Sequence, residues 1–153
     1  MTVVITYGTF DLFHVGHVRL LQRLRSLGDR LIVACSTDEF NAIKGKKSVF
    51  SYKDRAEILS SCKYVDLVIP EENWEQKVTD VQKYNVGIFA MGDDWAGKFD
   101  YLSTETGCIV SYLSRTSDVS TTDIKGYLRK IDDDTIASLK NTVDRLRAQL
   151  EKY

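Results

Sequence analysis

Five short runs of β-branched and aliphatic residues alternate along this 153-residue chain with stretches of helical period, which leaves few architectures open. The runs are "VVIT" from Val3, "LIVACS" from Leu31, "YVDLVI" from Tyr64, "VGIFAMG" from Val86 and "CIVSYL" from Cys108. Their near-continuous apolar character is that of strands buried on both faces. Between the first two, Val18, Leu20, Leu21, Leu24 and Leu27 recur at helical spacing, and Gly28 is placed to stop the helix. Ser51 with Asp54 opens a second helix whose Ala56, Leu59 and Cys62 share a face. Pro70, the only proline, ends the third strand, and Asn73 caps a helix carrying Trp74, Val78 and Val81. The segment "TDEFNAIKGKKSVF" reads as a polar, lysine-bearing loop.

This order predicts a doubly wound, Rossmann-like α/β fold around a five-stranded parallel sheet. Ligands of such sheets bind beyond the carboxyl ends of the strands, so the segments just after strands one, two, four and five carry the search. Ser120 with Asp123 repeats the capping pattern before "IKGYLRKI". Farther on, Ile131, Ile136, Leu139, Val143, Leu146 and Leu150 mark an added amphipathic helix, with "DDD" at 132–134 near its start and basic residues later. The expected division is a domain over 1–130 and a helical extension over 131–153. The extension could dock on the body or pair with a second copy.

The formal net charge of −1 gives no global field to steer the chain to nucleic acid or an anionic membrane, so anion binding must be local. No apolar run reaches membrane-spanning length, and the N-terminus lacks a signal-peptide pattern, so a cytoplasmic protein is expected. Three cysteines without CxxC spacing, Cys35, Cys62 and Cys108, read as free thiols in a reducing compartment.

Both histidines lie in "YGTFDLFHVGH", just after the first strand. At a strand-to-helix turn the unsatisfied N–H groups and the positive end of the helix dipole suit a phosphate. Gly16 removes a side chain where a phosphate would approach the backbone, and two imidazoles add directional donors. No third Cys or His lies at a spacing usable for zinc.

"YGTFDLFHVGH" resembles the HxGH signature of the nucleotidyltransferase superfamily, and "RTSDVSTTDI" from Arg115 resembles its second signature. Between them "STDEFN", "SYKDR", "YVDLVIPEENWEQK" and "MGDDWAGKFD" are similar to the glycerol-3-phosphate cytidylyltransferase family. The resemblance covers residues 2 to 128. It implies transfer of a cytidylyl group from CTP, with Mg²⁺, to glycerol 3-phosphate by direct attack on the α-phosphorus, in a homodimer. Other small phosphorylated acceptors are alternatives, as is a module that binds nucleotide without turnover.

The same resemblance implies the roles of single residues. His14, His17, Lys46, Arg115, Ser120 and Thr121 would act on the phosphates. Thr9, Phe10, Asp11, Val15, Gly16, Gly92, Asp94, Thr116, Val119 and Thr122 would complete the CTP site, with Asp11 an orienter or a magnesium contact. Asp94 would accept from a ribose hydroxyl or the cytosine amino group. Lys44, Arg55, Lys63, Trp74, Lys77 and Asp38 would hold the acceptor, with Arg55 clamping its phosphate. Two positions depart from the family pattern: Lys63 stands where an arginine is usual, and Asp118 where the second signature has glycine. Lysine keeps the charge and loses the bidentate fork.

Overall fold

The computed structural model describes residues 1–115 and 120–151. It divides into two compact units, Met1–Asp118 and Val119–Tyr153. In the first, β1 (Val3–Gly8), β2 (Arg30–Ser36), β3 (Leu67–Glu71), β4 (Ile88–Gly92) and β5 (Ile109–Leu113) form one parallel sheet in the order β3-β2-β1-β4-β5. Helices α1 (Val15–Arg25), α2 (Asp38–Ile43), α3 (Tyr52–Ser61), α4 (Gln76–Lys83) and α5 (Tyr101–Thr106) connect the strands. The second unit holds α6 (Thr121–Leu150), one unbroken helix.

Strand periodicity sorts the core into two layers. Val3, Ile5 and Tyr7 of β1, with Ile32 and Ala34 of β2, share one buried cluster with Val81 of α4 and Leu102 of α5. The intervening Val4, Leu31, Val33 and Cys35 join Leu21 and Leu24 of α1 and Leu59 of α3 in the other. Helices therefore cover both faces, and both faces of β1 and β2 are sealed from water.

Several local expectations shift. Pro70 lies inside β3, opposite Cys35, and the strand runs on to Glu71. β3 is an edge strand, where the missing proline N–H breaks no ladder to a further strand. That strand starts at Leu67, three residues later than the apolar run from Tyr64. α1 ends with its cap at Ser26, so Gly28 does not stop it. A Cβ on Gly28 would lie 2.6 Å from the Thr2 carbonyl oxygen, and this close approach is what its position requires. The "polar loop" after β2 contains α2, capped by Thr37, whose hydroxyl accepts the Phe40 N–H. At six residues, α2 and α5 are too short to show a helical period.

Because β1 leads to β2 and β3 on one side, while β4 returns to its other side, the strand order reverses between β1 and β4. The crevice at their carboxyl ends, after Gly8 and Gly92, is the place where such folds bind ligands.

Candidate active site

Beyond Gly8 the chain turns sharply, and Phe10 (φ 52°) and Leu12 (φ 49°) hold left-handed backbone that non-glycine residues rarely adopt. The turn delivers His14 as the cap of α1. Its Nδ1 accepts the Gly16 N–H at 3.0 Å, while His17 Nδ1 accepts the His14 N–H at 3.3 Å. The histidines thus form a reciprocal capping box, a use of imidazole that serine- and aspartate-based capping patterns do not reveal. With both Nδ1 atoms accepting, each neutral ring carries its proton on Nε2 and can donate from there. Burial lowers the pKa of His14; burial, then the neighbouring His14, lowers that of His17 to about 4 against a partial rise from Asp11. Both rings are therefore neutral donors at the positive end of α1 at neutral pH.

Asp11 and Arg55 brace this turn from below. The buried Asp11 carboxylate accepts the N–H groups of Val49 (2.7 Å), Phe50 (3.0 Å) and Leu12 (3.1 Å). Both oxygens accept backbone amides, the orienting role expected of it. Arg55, expected to clamp the acceptor phosphate, is buried and donates to the carbonyls of Phe50, Thr9 and Ser36 and to Asp38 Oδ1. Its fork ties together the ends of β1 and β2. Asp38, expected at the acceptor, is likewise engaged by Arg55, the Tyr52 N–H and the Ser48 hydroxyl. The Tyr52 amide leads in holding its carboxyl below the usual range.

Beside the histidine turn lies a cleft of about 210 Å³, walled by Tyr7, Trp74, Trp95 and Phe99 and bearing Lys44, Lys46 and Lys77. Lys77, almost wholly buried, sits 3.1 Å from Glu71 Oε1 and over the rings of Tyr7, Trp74 and Phe99. Lys44 Nζ lies 3.0 Å from Ser36 Oγ, 4.0 Å from Glu71 Oε2 and 4.3 Å from the Phe40 ring centroid. Burial lowers its pKa, Glu71 opposes that, and Lys46, Lys77 and Arg55 add to it. Two aromatic-walled ammonium groups share one buried carboxylate, and exposed Lys46 adds a third cation at the rim. Gly45, at φ 71°, supplies the turn that sends Lys44 and Lys46 into the same cleft.

Thr9 lines this cleft, its hydroxyl donating to Asn41 Oδ1 at 3.0 Å. Asp94 stands exposed in the 3₁₀ turn Asp93–Trp95, and its Oδ1 lies 2.6 Å from where a Gly92 side chain would begin. Gly92 thus leaves room for the turn to fold over the end of β4. Val15 is exposed at the first residue of α1. Trp74 precedes α4 and packs on Phe40 and Trp95; Asn73 Oδ1 accepts the Gln76 N–H at that helix start. Arg115 is exposed after β5, and Arg23 of α1 holds the chain just before it through the Ser114 carbonyl at 2.7 Å. In the second unit, Ser120 Oγ accepts the Asp123 N–H, capping α6 at Thr121, and Thr122 is exposed. Thr116, Asp118 and Val119 lie outside the described residues.

Lys63 does not join the site within one chain. It follows α3 and precedes β3, at the amino ends of the strands, with its ammonium over the Tyr64 ring. The pattern-based reading also passed over Glu71, Ser36 and Asn41. Only their place beside Lys44, Lys77 and Thr9 in space marks them, since single polar residues in or after apolar runs carry no motif.

The sequence profile described as Cytidylyltransferase-like matches residues 5–126. A glycerol-3-phosphate cytidylyltransferase of Staphylococcus aureus is 58% identical over 128 residues, covering 84% of this chain and 96% of that protein. One of Bacillus subtilis is 58% identical over 125 residues, covering 82% and 95%. A lipopolysaccharide core biosynthesis protein of Thermoplasma volcanium has the same fold, with a TM-score of 0.66 at 24% identity over 78% of this chain and 99% of that one. With the histidine turn at the switch point of its parallel sheet, this chain belongs to the cytidylyltransferase-like family.

Proposed function

We propose that this protein transfers a cytidylyl group from CTP to glycerol 3-phosphate, giving CDP-glycerol and pyrophosphate. The observation that carries the reading is the pairing of two neutral histidine donors at the start of α1 with a separate, aromatic-walled cationic cleft beside them. The first suits the nucleotide phosphates; the second has the size and charge for a small phosphorylated acceptor. The 58% identity to two glycerol-3-phosphate cytidylyltransferases supports that acceptor.

The chemistry needs positioning and charge stabilisation more than covalent participation. An oxygen of the acceptor phosphate forms a bond to the α-phosphorus as the bond from that phosphorus to the bridging oxygen of pyrophosphate breaks. His14 and His17 donate from Nε2 to the phosphoryl oxygens as charge shifts onto them. Lys44 and Lys77 hold the attacking phosphate, and Lys46 at the rim meets the triphosphate. Resemblance to the second signature assigns Arg115, Thr116, Ser120, Thr121 and Thr122 to CTP, and Asp94 receives a hydrogen bond from the nucleoside. Mg²⁺ carried by CTP would neutralise charge on the leaving pyrophosphate.

The reading includes a cytoplasmic homodimer supplying CDP-glycerol to a cell-surface polymer such as teichoic acid or capsule. No helix among the described residues is long and apolar enough to cross a membrane. Pyrophosphate release from CTP and Mg²⁺ should be fast with glycerol 3-phosphate and slow with phosphoethanolamine, and ATP should not replace CTP. Equal release with another acceptor would keep the mechanism and reject the acceptor; binding of CTP without release would reject the reaction.

A further inference from the structure

α6 carries an apolar stripe that nothing in its own unit buries. Ile136, Leu139, Val143, Leu146 and Leu150 are 51%, 61%, 48%, 54% and 76% exposed. They follow alternating steps of three and four residues, which is the spacing of a helix-pairing seam. A shallow groove of about 400 Å³ runs beside the stripe, lined by Ile136, Leu139, Lys140, Val143, Asp144 and Arg147. This part of α6 lies beyond residue 126, where the family match ends.

We propose that residues 132–150 of α6 pair antiparallel with the same segment of a second copy of this chain. The charge pattern selects a second copy in that orientation. Reversed on itself, the seam makes layers of Ile136 with Leu146 and Leu139 with Val143. Charge is graded along the helix: Asp132, Asp133 and Asp134 at one end, Lys140, Arg145 and Arg147 towards the other, with Asp144 among the latter. Beside those layers Asp133 of one copy faces Arg147 of the other, twice by symmetry. Lys140 meets its counterpart near the axis, the one like-charged contact of that border. A parallel pair would instead set Asp132 against its counterpart in the seam and leave Arg147 beside the uncharged Thr142. The other flank, Thr135, Thr142 and Gln149, is uncharged. A self-complementary patch is what a two-fold interface requires. At 1.5 Å per residue the stripe from Ile136 to Leu150 spans about 21 Å, a short seam that forms reversibly.

Disulfide trapping reads a reversible encounter. In a full-length Cys62→Ser background, one tagged copy carries Leu139→Cys and a co-expressed, differently tagged copy carries Val143→Cys; Cys35 and Cys108 are buried. The mixed disulfide should exceed either self-disulfide several-fold. Dominant self-disulfides would overturn the antiparallel arrangement, and absence of any cross-link would overturn self-pairing. Asp133→Arg in both copies should lower the mixed yield about fivefold, and adding Arg147→Asp should restore it. Unchanged yield on the first reversal, or no recovery on the second, would also overturn the proposal. Circular dichroism and thermal unfolding of each variant keep misfolding distinct from lost pairing.

Discussion

The His17 ring stacks on that of His14 with centroids 3.9 Å apart, and its Nδ1 holds the His14 backbone N–H. One side of each imidazole therefore builds the helix start, and the proposed phosphoryl contact uses the other ring nitrogen. These two uses can be separated experimentally.

His14→Asn keeps a strong helix-capping side chain but loses the Nε2 donor. Stability should stay within about 1 kcal/mol of the parent. Turnover should fall about a hundredfold or more. Thermal unfolding beside pyrophosphate release measures both; near-parent turnover would remove His14 from the phosphoryl site.

His17 makes stability depend on pH. Its pKa is about 4 in the folded chain against 6.5 ordinarily, so between these values the unfolded chain binds more protons. Its contribution is fully present above about pH 6.5 and is lost as pH falls towards 4. Denaturant titrations across that window should show a shallower decline for His17→Asn than for the parent. Parallel declines would mean that His17 is not buried as a neutral ring.

Lys44→Ala should raise the apparent KM for the acceptor more than that for CTP, because Lys44 shares the aromatic-walled cleft with Lys77. Steady-state kinetics with each substrate varied in turn tests this, and the reverse pattern would exchange the roles of Lys44 and Lys46. Glu71→Gln should act on the fold as well. It leaves Lys77 buried without its carboxylate and should cost about 3 kcal/mol, read by urea unfolding.

Arg55→Lys separates bracing from substrate binding. A lysine cannot reach the three carbonyls and the carboxylate that the guanidinium joins, so buried acceptors lose their donors. The expected cost is about 2–3 kcal/mol of stability. In folded enzyme, kcat should fall more than acceptor affinity, since the histidine turn rests on the Thr9 carbonyl. A selective rise in acceptor KM at unchanged stability would restore Arg55 as a phosphate clamp.

The alternation of apolar runs and helical stretches determined the parallel sheet with helices on both faces, because burial on two faces demands nearly continuous aliphatic strands. The place of the two histidines at the strand-to-helix turn after β1 was legible for a related reason: a helical period begins directly after an apolar run. α2 and α5 escaped because a six-residue helix completes fewer than two turns and leaves no period to read. Lys63 lies at the amino ends of the strands, a placement its motif does not carry because a motif gives no direction along a strand. Arg55, Asp38 and Asp11 have the composition of ligand-binding groups, and only packing reveals that backbone amides, carbonyls and one another already engage them. Charge type is written in the chain. Whether a charge meets a ligand or braces the fold depends on which backbone groups the tertiary structure leaves within about 3 Å of it.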